Sequence, residues 1–259
     1  VISLTGSPVT KSPLDLYSQC AFLDEDLLGH VSYYTFRNRY AVMIDRNFGG
    51  RRVQIVGSYQ RLDELEEILK EFSYRVQKKD CLDLPKKIFM SRAVELTKEQ
   101  QEAYATMKSA ALASLKGKMA TAPHVLTQLM RLHQITCGHF KSDDGVITTL
   151  QHNRIDELLD VTNEMEGKVI IWANYVHDIK EITQALEVEY EEGCVVQYYG
   201  EVSSEDRQRA IKEFQDPKSK VKYFVGNTQT GGYGLTLTAA NNVIYYSNSY
   251  DLEKRLQSE

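Results

Sequence analysis

The C-terminal third of this 259-residue chain is predicted to be α/β, a doubly wound parallel sheet. Three observations predict it. Four short apolar runs, Val169–Ala173, Cys194–Tyr199, Lys222–Gly226 and Val243–Ser247, have strand length. Helical spacing fills two of the gaps: Ile179, Ile182 and Leu186 mark residues 177–190, and residues 204–214 follow Ser203 as N-cap with Asp206 at the third helical position. A glycine-rich run, Thr230-Gly231-Gly232-Tyr233-Gly234, leaves the third strand.

That run carries the first functional expectation. A strand that feeds a glycine loop and then a short helix aims backbone N–H groups and a helix N-terminus at one point, where an anion can sit. Gly231, Gly232 and Gly234 lack a Cβ, so the backbone can approach phosphate or ribose and adopt positive φ. The same glycines would also serve a tight turn with no ligand. Sheets of this kind bind ligands at the carboxyl ends of their strands. Thr228 and Gln229 end one strand and can hydrogen-bond backbone phosphates without reading sequence. Asn174 and Tyr175 end another on the same edge.

The rest of the chain is read from its start. Val1-Ile2-Ser3-Leu4 reads as a strand that ends in the turn Thr5-Gly6-Ser7-Pro8. Residues 42–56 alternate around Phe48-Gly49-Gly50-Arg51 and predict a β-hairpin. Leu62, Leu65, Ile68, Leu69 and Phe72 mark one amphipathic helix. Thr97 with Gln100 forms a capping box before a helix bearing Tyr104, Met107, Ala111 and Leu115. Two more helices carry Val125, Leu126, Leu129, Met130 and Leu132, then Ile155, Leu158, Leu159 and Thr162. These stripes read as core faces. Residues 84–88 and 138–152 read as joints.

Composition narrows the classes. Hydrophobic residues make up 42% and charged residues 26%, ordinary for a globular protein. No apolar run is long enough to span a membrane. Cys20, Cys81, Cys137 and Cys194 form no CxxC pair, which fits a reducing compartment and suggests neither a disulfide framework nor a zinc site. His133, Cys137 and His139 sit at the end of an apolar helix and read as part of it, so no metal site is expected. The net charge of −5 counts against a dedicated basic nucleic-acid binder but leaves local phosphate contacts open. Basic clusters occur at Arg37 and Arg39, at Arg46, Arg51 and Arg52, at Lys78 and Lys79, at Lys86 and Lys87, and at Lys218, Lys220 and Lys222. Each reads first as solvated surface. The chain opens at Val1 without Met, and the expectation is a piece of a longer protein.

The order of motifs is more specific than any one of them. After the Thr-Gly-x-Pro turn come Leu27-Leu28-Gly29, Phe36 and Tyr40, Arg75 with Lys78-Lys79-Asp80, and Leu84-Pro85-Lys86. Val94-Glu95-Leu96, Gln100, Tyr104 and Leu132-His133-Gln134-Ile135 follow. Then come Lys168–Trp172, Gly200, Arg207-Gln208, Phe214 and the glycine run. This succession resembles the Swi/Snf-type ATPases of helicase superfamily two, in the short-insertion branch with annealing-helicase-like and phage or bacterial members. The resemblance covers essentially the whole chain.

The resemblance implies a two-lobed motor with RecA-like lobes, ATP in the cleft between them and duplex DNA gripped by both. Residues 1–100 would be the tail of the first lobe with its helical protrusion and hairpin, 101–152 linking helices, and 153–259 a second RecA-like lobe lacking its last motif. Gly231, Gly232, Gly234 and Thr236 would face the nucleotide. Asn174, Tyr175, Asn227, Thr228, Gln229 and Arg207 would face DNA, and Ser3, Thr5 and Gly6 would couple the two. Several positions depart from the family pattern: Thr230 stands for an alanine, Thr236 for an asparagine, Tyr250 for a tryptophan, and Arg75 is followed by Val76 rather than a second arginine.

The chain has no GxxxxGKS/T loop; Gly167-Lys168 precedes Val169 and a strand, the wrong context for one. Asp24-Glu25-Asp26 follows the Thr-Gly-x-Pro turn, whereas the family's acidic magnesium motif precedes it, so it reads as an exposed turn. Gln257 fits the start of the last motif, whose arginines would lie further on. No catalytic set is therefore complete in these residues. ATP and magnesium are expected in the full-length protein and not as tight ligands of this piece, which is expected to be inactive alone. The expected partners are duplex DNA, bound without sequence preference, and the first lobe in cis, in a monomer without membrane contact. The expected place is bacterial or phage-host cytoplasm, or the nucleus if eukaryotic. Two other readings stay open: an RNA-dependent motor of the same superfamily, and a non-catalytic RecA-like binding or scaffold module.

Overall fold

A computed structural model describes residues 2–6, 8–48, 51–76, 86–116, 122–142, 144–231 and 234–259. Lys78-Lys79-Asp80, the Leu84-Pro85 joint and Gly232 lie outside the described residues. The chain divides into two compact units, Val1–Phe89 and Met90–Glu259.

The first unit begins with residues 2–5 in no regular structure, and Ile2 and Leu4 are almost fully exposed. The strand expected there is not formed. A strand must pair its N–H and C=O groups, and no described strand lies beside this segment. A single 3-10 turn, Pro13–Asp15, leads into helix α1, Leu16–Leu23. Ser12 and Asp15 cap the turn reciprocally, and the hydrogen bond from the Lys11 N–H lowers the Asp15 pKa. Asp24, Glu25 and Asp26 form an exposed turn. Helix α2, Tyr33–Tyr40, enters through a second capping box, Ser32 with Thr35, and buries Phe36 and Tyr40 completely.

The hairpin is longer than the sequence pattern indicates. Strand β1, Ala41–Phe48, pairs antiparallel with β2, Arg51–Tyr59, with a bulge between Val42 and Met43. Helix α3, Leu62–Phe72, packs Leu65, Ile68, Leu69 and Phe72 against Phe36, Tyr40 and Leu14. Glu64 on α3 accepts from Arg39 at 2.7 Å and from the Tyr40 hydroxyl at 3.1 Å, tying α2 to α3.

The second unit opens with helix α4, Lys98–Lys116. The capping box forms as expected: the Gln100 N–H donates to the Thr97 hydroxyl at 3.3 Å, and the Thr97 N–H donates to the Gln100 side chain at 3.2 Å. Gln100 is buried and also donates to the Ile135 carbonyl at 2.8 Å, on helix α5, Ala122–Cys137. The α5 stripe is not the core face that its spacing suggests. Leu126, Leu129 and Met130 are 66%, 43% and 44% exposed, while Gln134, Ile135 and Cys137 near its end are buried. Helical period fixes which residues share a face but not what covers that face. Residues 138–152 hold a small antiparallel hairpin, β3, His139–Lys141, with β4, Ile147–Thr149.

Four parallel strands then form the sheet: β5, Lys168–Trp172; β6, Val195–Tyr198; β7, Tyr223–Gly226; and β8, Ala240–Tyr245. Their spatial order is β6-β7-β5-β8. The fourth strand starts three residues before the expected Val243. Helices α6, Arg154–Asn163, α7, Val176–Glu189, and α8, Ser204–Gln215, cover the two faces. Val169 and Ile171 join Leu158, Ile179, Ile182 and Leu186 on one face, while Ile170 and Trp172 join Ala210, Phe214 and Phe224 on the other. Burial on both faces explains why the central strands β5 and β7 read as continuous apolar runs, while the edge strand β8 is partly exposed.

Candidate functional site

Chain order in the sheet reverses around β5: β6 and β7 lie on one side and β8 on the other. The carboxyl ends of β5 and β7 are neighbours at that switch point, where open α/β sheets bind ligands. Asn227 follows β7 directly, and its side chain donates to the Asn174 carbonyl at 2.8 Å. Its side-chain oxygen accepts from the Gln229 N–H at 2.6 Å, and its carbonyl accepts from Thr230 and Gly231. Asn227 thus starts a single helical turn, α9, Thr228–Gly231. This differs from the expected order: helical structure precedes most of the glycine run, and residues 234–237 are not helical. The Asn227 cap satisfies the N–H groups of Gln229, Thr230 and Gly231, so the chain turns at once.

Gly226 and Gly231 both border Trp172. A β-carbon on Gly231 would lie 2.8 Å from that ring. Gly234 takes a left-handed φ of 71° with open space where a side chain would be, as a close backbone approach requires. Beyond it, Gln215 on α8 donates to the Thr236 carbonyl at 2.7 Å and accepts from the Ala239 N–H at 2.8 Å. Leu235 and Leu237 pack into the core beside Trp172.

The edge extends through Ser247 and Asp178, neither of which is among the expected site residues. The Asn174 N–H donates to the Ser247 hydroxyl at 2.8 Å, and that hydroxyl donates to Asp178 at 3.4 Å. Asp178 is fully buried and faces His139 Nδ1 at 3.0 Å. The Tyr175 hydroxyl meets His133 Nδ1 at 2.9 Å, and burial lowers the His133 pKa and raises that of Tyr175. Arg154 donates to the Tyr246 carbonyl at 2.8 Å and lies over the Tyr246 ring. Of this network the sequence points to Asn174 and Tyr175 at the strand end and to His133 in the Leu132–Ile135 motif. Asp178 and Ser247 have no local pattern, because their partners are distant in sequence.

Arg207, in the first turn of α8, lies over the Tyr198 ring at the end of β6, and its buried Nε has no hydrogen-bond partner among the described residues. Thr228 shares a shallow recess with Tyr245, Ser247, Asn248, Ser249 and Arg255. The sheet edge therefore brings Asn174, Tyr175, Asn227 and Thr228 together. Gln229 is exposed beside them, and Arg207 stands one strand further out. Ser3, Thr5 and Gly6 belong to the first unit and are exposed. Among the described residues, no group of three His, Cys, Asp or Glu side chains is placed to hold a metal ion. No described helix is long and apolar enough to cross a membrane.

Residues 1–141 match the family model of the SNF2-related domain. The chain belongs to the SNF2-related family. Residues 151–259 of this SNF2-related chain match the helicase conserved C-terminal domain. It is 26% identical over 259 residues to the Bacillus subtilis protein named ATP-dependent helicase/translocase YwqA, covering 95% of this chain and 26% of the relative. It is 27% identical over 277 residues to the human SWI/SNF-related matrix-associated actin-dependent regulator of chromatin subfamily A member 1, covering 98% of this chain and 24% of the relative. The SNF2-related chain thus spans about a quarter of the length of these curated relatives. Among solved structures it resembles the Sulfolobus solfataricus SWI2/SNF2 ATPase core domain, with a TM-score of 0.54 and 26% identity over 98% of this chain and 52% of that one. The RecA-like α/β architecture expected from the sequence is the fold of these neighbours.

Proposed function

We propose that this chain is part of an ATP-dependent motor that moves along duplex DNA. It supplies the tail of the first lobe in residues 1–100, linking helices in 101–152 and the second lobe in 153–259. The observation that carries this reading is the hydrogen bond from Asn227 to the Asn174 carbonyl. It fixes two strand ends side by side, so that Asn174, Tyr175, Asn227, Thr228 and Gln229 form one edge of amide and hydroxyl groups with no carboxylate among them. Such groups suit phosphate oxygens and carry no sequence preference. Arg207 extends the edge with a positive charge. Gly231, Gly232, Gly234 and Thr236 line the nucleotide wall, and Ser3, Thr5 and Gly6 couple nucleotide state to DNA grip. The helicase/translocase name of the Bacillus relative supports the same reading.

ATP and magnesium belong to this reading, and these residues fit only part of the site. The glycine segment offers a nucleotide an open backbone surface at Gly234. The 259 residues hold no GxxxxGKS/T loop, and the described ones hold no carboxylate set for magnesium. No step of hydrolysis is assigned to them, and the chain alone is expected to release no phosphate from ATP.

ATP hydrolysis by the full-length protein, measured with duplex DNA and with RNA, tests the proposal. Stimulation by duplex DNA is expected, and the double substitution Thr228→Ala, Gln229→Ala should raise the DNA concentration needed for half-maximal stimulation. Stimulation by RNA alone would make the protein an RNA-dependent motor. Absence of hydrolysis would leave a binding or scaffold module.

A further inference from the structure

Among the described residues, the β1–β2 hairpin is anchored at its root alone. Ala41 is buried, Met43 and Val56 pack against the first unit's core, and the Tyr59 hydroxyl donates to Ser12 at 2.9 Å. Residues 44–47 and 51–54 are exposed, so this outer part is covered on neither face. Four residues of strand carry it about 13 Å outward.

Its charge runs against that of the whole chain. Acidic residues outnumber basic ones, 36 to 31, yet residues 44–54 hold Arg46, Arg51 and Arg52 against Asp45 alone. Elsewhere Arg39, Arg92, Arg209 and Arg255 each hold a carboxylate. Among the described residues, no carboxylate lies within ion-pair distance of the three hairpin arginines. Register sets their directions. Arg46 pairs with Val53 and Arg51 with Phe48, so these two arginines are diagonal neighbours on one face, while Arg52, opposite Asn47, points to the other. Ile44 and Val53, each 38% exposed, lie on the face of Arg46 and Arg51.

We propose that this hairpin is a second phosphate-binding arm that lies on the backbone of duplex DNA. Charge complementarity selects the ligand: three guanidiniums that hold no carboxylate among the described residues, on a chain of net charge −5. Shape agrees, because the major groove admits a two-stranded β-ribbon. The exposed Ile44 and Val53 would lie between the arginine stems against the groove wall. The inference rests on the motor reading only in taking duplex DNA as the ligand, since it uses none of the sheet-edge residues.

Fluorescence anisotropy of a labelled DNA duplex with the full chain, across a salt series, tests it. Each phosphate contact contributes about 0.9 to the slope of log affinity against log salt. The variant R46Q/R51Q/R52Q, with its fold checked by circular dichroism, should flatten that slope by about two to three and weaken binding at least about tenfold at low salt. D45K should steepen the slope by about one. A triple variant with the parent slope and affinity overturns the arm. So does loss of binding only in the Thr228→Ala, Gln229→Ala variant, which leaves the motor reading standing. Loss in the hairpin variant with the sheet-edge variant unchanged supports the arm and counts against the sheet-edge contact. No binding by the parent chain overturns both, and capture of acidic protein surfaces in place of DNA overturns the arm as a DNA contact.

Discussion

A β-carbon on Gly226 would sit 2.8 Å from the Tyr198 carbonyl oxygen and 3.0 Å from the Trp172 ring. The backbone oxygen cannot swing aside, so Gly226→Ala should destabilise the second unit by about 1–3 kcal/mol. Gly6→Ala, with open space around it, should change stability by less than about 0.5 kcal/mol. Urea unfolding of both variants checks the contrast. Cys137 is fully buried, and burial pushes its thiol up to about 12, so it should resist a thiol reagent until the chain unfolds. Labelling with and without denaturant, located by mass spectrometry, reads this directly. Burial also holds the His133 and His177 imidazoles below the ordinary 6.5. As pH falls through 6.5 the unfolded chain takes up protons that the folded chain refuses, so stability should fall with pH over that window. His133→Gln should flatten the dependence in urea midpoints measured from about pH 7.5 down to about pH 5.5.

Elements were legible where a local rule governs them. The Thr97–Gln100 box stood in the sequence and forms with both hydrogen bonds. Thr97→Ala should cost about 1 kcal/mol, and more if the Thr97 hydroxyl's bond to the Gln151 carbonyl also matters. A double-mutant cycle of Thr97 with Gln100 separates the cap from the Gln100–Ile135 contact. The central strands β5 and β7 were legible because both of their faces are buried and their apolar runs are unbroken, whereas β8, an edge strand opening on Ala240-Asn241-Asn242 and half exposed, was legible only from Val243 onward. Three features were not. Among the described residues, the α5 stripe gives a face without its partner and the opening apolar residues have no strand to pair with, and the short helix at Thr228–Gly231 depends on an Asn227 cap hidden by the conspicuous glycines. At the site, the residue types at the strand ends were legible. The Asp178–Ser247–Asn174 chain was not, because it joins β8 to α7 across about seventy residues.

The whole molecule is two compact units, and the division at Phe89 and Met90 leaves the α4–α5 helices with the sheet. Gln100, Arg92 and Asn153 supply ties within the second unit, to Ile135, Glu164 and Glu95. A chain of residues 90–259 is therefore expected to fold alone with a single cooperative urea transition. A chain of residues 153–259 should be less stable, since it loses the partners of Arg154 and Asp178 on α5 and β3. Circular dichroism of the two chains decides it, and equal midpoints would show that the linking helices add nothing.

Trp172 is the chain's single tryptophan, and it lies at the carboxyl end of β5 with Gly226 and Gly231 against its ring and its Nε1 donating to the Ser258 carbonyl. The protein thus carries its own optical probe in the second unit, set behind the glycine segment. Tryptophan emission should stay blue-shifted while residues 90–259 remain folded. Any ligand that moves the glycine turn should alter its intensity before it alters the helical content.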